Sequence, residues 1–311
     1  MDNSSTLGQH HLSLLSKIFY GFLMGTANII PGVSGGTIAL MLGIYEPLIN
    51  TLKCFDKKFL TFLKTLKFKS ALAHVQATFL IPLLIGVFIA IFSLSHILPH
   101  LLDHYPIWVY SFFFGLILAS VPVIGKHVRP WNPLTVFLGL LTTALMYVII
   151  GMVPVKTPES YWFLFISGAL AICTMILPGI SGSFVLVLIG KYQFILEAIK
   201  NYDFLSLSAV ALGCIVGLLS FVRVLNWFLT KYPNQTMAVL TGLVLGSVRK
   251  IWPWKKTVQA MMTTEGQIIP VSQINIFPGK WNGEVGFAIF FIFLGFVCAF
   301  LLNRLSKDKI S

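Results

Sequence analysis

The sequence predicts an all-α polytopic membrane protein made of two inverted repeats, each a re-entrant broken helical hairpin plus three transmembrane helices. Three observations carry this reading. Apolar runs long enough to cross a bilayer recur through a chain with few charges, one Pro-Gly interruption occurs twice at an offset of 147 positions, and Lys and Arg crowd the connections that would share one side of the membrane.

Of 311 residues, 57% are hydrophobic and 10% charged, against roughly 25% charged in soluble domains. So much apolar surface cannot be hidden from water in one soluble fold. A helix needs roughly 20 residues, at ~1.5 Å each, to cross ~30 Å of hydrocarbon. Six segments meet or approach this length: about 79–98, 107–125, 133–153, 205–229, 235–249 and 285–303, the fifth being the shortest. The net charge of +12 does not point to nucleic acid, because the basic residues lie between apolar spans and form no aromatic-interleaved patch. An anionic leaflet accounts for them more simply. Cys54, Cys173, Cys214 and Cys298 are isolated, with no metal or redox spacing, and read as small core residues. Residues 1–17 lack the charged n-region and cleavage site of a signal peptide, so targeting is expected to come from the spans.

Two further apolar stretches, about 17–50 and 161–200, are too long for one helix and are broken in the middle. The first break is Asn28-Ile29-Ile30-Pro31-Gly32-Val33-Ser34-Gly35-Gly36-Thr37, the second Met175-Ile176-Leu177-Pro178-Gly179-Ile180-Ser181-Gly182-Ser183. The offset of 147 also places Gly43 on Gly190 and Tyr45 on Tyr192. Downstream, an offset of 127 places Gly86 on Gly213, Tyr105-Pro106 on Tyr232-Pro233 and Gly115 on Gly242. The 20-residue difference between the offsets matches a lysine-rich insertion at about 53–69. The chain therefore divides into an N-terminal segment (1–16), repeat 1 (17–153), repeat 2 (161–304) and a tail (305–311).

Charge favours inversion over parallel repeats. With the first hairpin opening to the cytoplasm, both termini, the insertion, Lys126, Arg129, Lys231 and Arg304 are cytoplasmic, and the outer loops near Pro99 and Pro154 are nearly free of Lys and Arg. The loop of about 249–285 departs from this pattern, with Arg249, Lys250, Lys255, Lys256 and Lys280. The insertion interleaves Phe55, Phe59, Phe62, Leu63 and Leu66 with lysines, which suits an amphipathic helix on the inner leaflet or a solvated connector.

Irregular backbone in hydrocarbon leaves polar groups unpaired unless it lines a wet cavity or binds something. The candidate anion site is accordingly Gly32, Ser34, Gly35, Gly36 and Thr37 from the first break, with Gly179, Ser181, Gly182 and Ser183 from the second. Helix kinks capped by serines are the plainer alternative, but two copies at corresponding places favour a site. Arg223, inside an apolar run, is a candidate phosphate contact, or else snorkels or pairs with Glu46. Its repeat equivalent is His96. Glu46, Asn28 and His96 form a second candidate set, for a coupling proton or cation or for polar packing. No catalytic cluster, metal-ligand spacing or cofactor motif is present in the sequence.

The segments Gly25–Thr37, Leu177–Ser183 and Gly246-Ser247-Val248-Arg249-Lys250-Ile251-Trp252-Pro253-Trp254 resemble a bacterial and archaeal family, the polyprenyl-phosphate transporters, formerly a domain of unknown function. The resemblance runs from about Gly21 to Leu302. It implies a multi-pass protein of the cytoplasmic membrane that returns undecaprenyl phosphate from the outer to the inner leaflet for peptidoglycan and envelope polymer synthesis. The implied partners are that lipid and the surrounding membrane lipids, with oligomeric state open and a homodimer among the alternatives. A carrier for a small soluble anion, or a lipid-phosphate phosphatase, are the competing classes. The phosphatase would need an acid/base or metal cluster that the scattered histidines do not form.

Overall fold

The computed structural model describes residues 12–262, 268–279 and 281–310. Of the expected N-terminal segment, positions 1–11 lie outside the described residues, as do Lys280 and Ser311.

Local chemistry sets the helix limits. Ser13 caps α1 (Leu14–Ile29) by accepting from the amide of Ser16, and the helix stops before Pro31. The short α2 (Gly35–Met41) and α3 (Tyr45–Lys53) follow. The lysine-rich insertion folds as α4 (Lys57–Lys64) and α5 (Phe68–His74). The first half is completed by α6 (Ala77–Leu94), α7 (Ile97–His104), α8 (Pro106–Gly125) and α9 (Pro133–Ile150). Proline opens α8 and α9, where a missing N–H is harmless, and Asn132 with Thr135 forms a capping box on α9.

The second half holds α10 (Tyr161–Ile176), α11 (Gly182–Leu188), α12 (Tyr192–Lys200), α13 (Phe204–Lys231) and α14 (Pro233–Ser247). A 3-10 turn (Val248–Ile251), two antiparallel strands β1 (Lys255–Met262) and β2 (Ile268–Asn275), and α15 (Gly283–Ile310) end the chain. The strands stand where the sequence predicts an open loop. β-Branched Thr257, Val258, Ile268, Ile269, Val271 and Ile274 favour them.

Among the described residues, five helices are long and apolar enough to cross a bilayer: α6, α8, α9, α13 and α15. The pair α11 and α12, bent by 102°, makes a sixth if counted as one span. The crossing expected at 235–249 is shorter than a full span, because α14 has 15 residues, about 22 Å of helix. Its start is fixed by Pro233, and beyond Ser247 the chain tightens into the 3-10 turn.

Packing repeats at the predicted offsets. α1 crosses α6 so closely that a β-carbon on Gly21 would overlap the carbonyl of Leu83, and one on Gly86 that of Ile18. α10 crosses α13 in the same way, through Gly168 against Val210 and Gly213 against Phe165. The remaining long helices pair across the halves. α8 packs on α15 at Gly115 and Gly295, while α9 packs on α14 at Gly242 and Gly246. Thr142 and Thr143 of α9 reinforce the second pair by donating to the carbonyls of Val239 and Gly242.

The second broken hairpin ends beside its own beginning. Val155 N–H donates to Leu188 O at 2.9 Å and Thr157 Oγ1 donates to Ile189 O at 2.6 Å, so α11 returns the chain to the segment that precedes α10. At the other end of the molecule Ser306 of α15 donates to Leu42 O, just after α2, and Arg129 N–H donates to Asn234 Oδ1.

Candidate anion cavity at the paired breaks

Both breaks use the same backbone device. Gly32 has φ +93° and Gly179 has φ +84°, and the glycines closing the following short helices, Gly43 and Gly190, have φ +70° and +65°. A side chain in left-handed backbone costs roughly 1–2 kcal/mol, so glycine at these four repeat-related positions permits the turns.

The breaks meet. Ser34 Oγ donates to Leu177 O at 3.2 Å, Gly179 N–H donates to Thr37 Oγ1 at 2.9 Å, and Tyr45 Oη donates to Ile176 O at 3.3 Å. A β-carbon on Gly36 would stand 2.7 Å from Ile176 O. The first break also satisfies its own donors: Asn28 Oδ1 accepts from Gly35 N–H at 2.8 Å and Ser34 Oγ accepts from Gly36 N–H at 3.1 Å. Ser34 and Thr37 are 2% and 0% exposed. Of the sequence-predicted donors, Ser34, Gly35, Gly36 and Thr37 are thus engaged in joining the breaks or starting α2, and Gly182 is packed against Ala171. Asn28 supports that start.

Gly32, Ser181 and Ser183 instead line a cavity of about 310 Å³. The Ser181 and Ser183 hydroxyls lie 2.6 Å apart. Around them the end of α9, the 3-10 turn and the strand pair bring Arg249, Lys250 and Lys255, with Tyr110 of α8 and Phe184 of α11. Arg249 Nη1 donates to Tyr147 O at 2.6 Å, and its guanidinium lies 4.2 Å from the Tyr147 ring centroid, above side-chain-free Gly151. The stem of Lys250 lies against Gly32, and its ammonium stands 4.9 Å from the Phe184 ring. Lys255 donates to the Lys250 carbonyl at 2.5 Å and lies 4.0 Å from the Tyr110 ring.

This arrangement holds positive charge without a counter-charge, since the described lining contains no Asp or Glu. Burial pushes the Lys250 ammonium below its ordinary range; burial, then the neighbouring Lys250 charge, brings Lys255 down to about 7. An anion would restore the charged form of both. The positive potential comes from these three side chains more than from the helix ends, because α2 and α11 have only 7 residues each and align few peptide dipoles.

Other sequence-predicted residues lie elsewhere. Arg223 on α13 donates to Leu219 O at 2.7 Å and to Phe55 O at 3.2 Å. His96, exposed, places Nδ1 3.2 Å from Ser95 Oγ, and Glu46 is exposed in the first turn of α3. None of the three lines the cavity. Arg249, Lys250 and Lys255 were not singled out as site residues from the sequence: they are among the five cations of the loop that departs from the charge bias, and Arg249 and Lys250 also fall in a segment that carries the family resemblance.

Fold and cavity together define a multi-pass helical membrane protein with a cationic chamber, free of carboxylates among the described residues, against two joined helix breaks. Over residues 24–269 the chain matches the VCA0040-like family, described as undecaprenyl phosphate translocase-like, and it belongs to that family. It is 40% identical over 272 residues to the polyprenyl-phosphate transporter of Vibrio cholerae serotype O1, covering 87% of this chain and 88% of the relative. It is 32% identical over 256 residues to the polyprenyl-phosphate transporter of Staphylococcus aureus, covering 76% and 86% respectively. No solved structure matches.

Proposed function

We propose that this chain carries undecaprenyl phosphate across the cytoplasmic membrane, from the outer to the inner leaflet, with the phosphate in the cavity and the prenyl tail in hydrocarbon. The carrying observation is the convergence of Arg249, Lys250 and Lys255 with Ser181 and Ser183 beside the joined breaks. The family and both named relatives support the lipid as cargo. Apolar Met152, Val187 and Leu188 in the same lining suit the first carbons of a prenyl chain.

In this reading the repeats are inverted and both termini lie inside. The return of α11 to Val155 and of α2 to the last turns of α15 supports re-entry from opposite faces. The cavity then reaches the breaks from the outer side, bounded by residues 150–154 and the strand pair, while the Ser34–Leu177 and Thr37–Gly179 bonds close the inner side. Each such bond contributes about 1 kcal/mol net, small enough to be exchanged when the halves rock. The phosphate is moved intact, and no bond to it is made or broken.

Vesicles reconstituted with the chain test this directly. Labelled polyprenyl phosphate should become inaccessible to an external quencher, without uptake of soluble phosphate or sulfate, and Arg249→Ala should slow the movement. Sulfate uptake without lipid movement would make the chain a soluble-anion carrier, and release of inorganic phosphate would make it a phosphatase.

A further inference from the structure

The insertion between α3 and α6 carries a surface that the cavity does not use. At 100° per residue, Lys57, Lys58, Thr61 and Lys64 occupy one arc of α4, and Phe59, Leu60, Phe62 and Leu63 the other. The protein covers only half of the apolar arc. Phe59 packs edge-on to Phe55 at 5.1 Å and Phe62 to His74 at 5.8 Å. Leu60 and Leu63 remain 55% and 36% exposed, and Leu66, Phe68 and Leu72 beyond them 73%, 58% and 51%.

The charges around this apolar edge are of one sign. Lys57, Lys58, Lys64, Lys67 and Lys69 are all exposed. Asp56, the one acid in the stretch, is occupied by capping Phe59 N–H and pairing with His74 at 3.0 Å. The segment is also tied to a long helix. Lys53 Nζ donates to Asn226 Oδ1 at 2.7 Å, Asn226 Nδ2 donates to Asn50 Oδ1 at 2.6 Å, and Arg223 holds Phe55 O. These bonds tie the end of α3 to α13 about two turns before its C-terminus at Lys231, and α6 enters the bilayer directly after α5.

We propose that α4 and α5 form an interfacial platform whose lysines bind the headgroups of anionic phospholipids while Leu60 and Leu63 enter the headgroup–acyl boundary. A lysine close to an anionic surface contributes about fivefold in affinity, and a half-covered apolar arc beside a basic one is the pattern of helices that lie in the interface. Arg223, buried in sequence among apolar residues, here serves as the anchor of the platform. This inference rests on the membrane spans alone and is independent of the cargo.

The test uses the full chain in vesicles of phosphatidylcholine, with and without roughly one-third phosphatidylglycerol. Spin labels at Leu60→Cys and Leu63→Cys, in a chain with its native cysteines replaced, should be shielded from a water-soluble relaxer, while a label at Lys58→Cys, on the opposite arc, stays accessible. Trypsin cleavage of the native chain at Lys57 and Lys58 should slow more than about fivefold with the anionic lipid. Equal water access at all three labels, or cleavage indifferent to phosphatidylglycerol, overturns the proposal.

Discussion

Gly179 donates its amide hydrogen to the hydroxyl of Thr37, 142 residues earlier in the chain, at 2.9 Å. This bond joins the two breaks, so that the backbone next to the cavity is held in place by both halves.

The junction should be intolerant of added atoms. Gly179→Ala places a side chain at φ +84° and 2.8 Å from Leu243 O, which should destabilise the fold by roughly 1–3 kcal/mol and abolish lipid movement. Thermal unfolding in detergent alongside the vesicle assay checks both effects, and a parent-like Tm would contradict the packing described.

The serines of the two breaks should behave differently. Ser34→Ala loses a buried donor and the cap of α2, costing about 1 kcal/mol of stability. Ser181→Ala should leave stability unchanged and weaken lipid binding several-fold, because its hydroxyl faces the cavity. Identical behaviour of the two variants would show that the cavity assignment is mistaken.

Arg249→Lys keeps the charge but loses the planar group stacked on Tyr147, so polyprenyl-phosphate affinity should drop about tenfold. Arg223→Ala should leave that affinity near the parent value, since its guanidinium holds Phe55 at a different place. A titration in which Arg223→Ala is the weaker binder of the two would reverse these assignments.

Binding should depend on pH through Lys255. Its ammonium ordinarily titrates near 10.5 and here near 7, so above neutrality the empty cavity holds it neutral. A bound anion favours the charged form, and binding must then take up a proton. Affinity should therefore fall as pH rises from about 7 to about 9, and Lys255→Arg, charged throughout, should flatten that slope. Proton uptake measured by calorimetry in buffers of different ionisation enthalpy gives an independent check.

The sequence showed the spans, the duplicated breaks and the family because these rest on composition and local pattern. It could not separate Ser34 from Ser181. The two serines occupy equivalent places in near-identical motifs, and only packing decides that one faces Leu177 and the other the cavity. Lys255 was invisible as a site residue for a similar reason. It belongs to a strand in a stretch with no helical signal, and its approach to Tyr110 spans 145 residues. Arg223 stood out by its apolar neighbours, yet its nearest carbonyl acceptor outside its own helix is Phe55, in the insertion that breaks the repeat.

The exchange of helix partners between halves has a consequence for biogenesis. α8 finds its most extensive packing surface when Ile292 and Gly295 of α15 arrive, and α9 when Gly242 and Gly246 of α14 arrive. During synthesis both helices must wait in the bilayer, stable as individual spans but unassembled, until nearly the whole chain has been inserted. A chain split between α9 and α10 is therefore expected to accumulate only when both pieces are made together, each piece acting as the missing scaffold of the other.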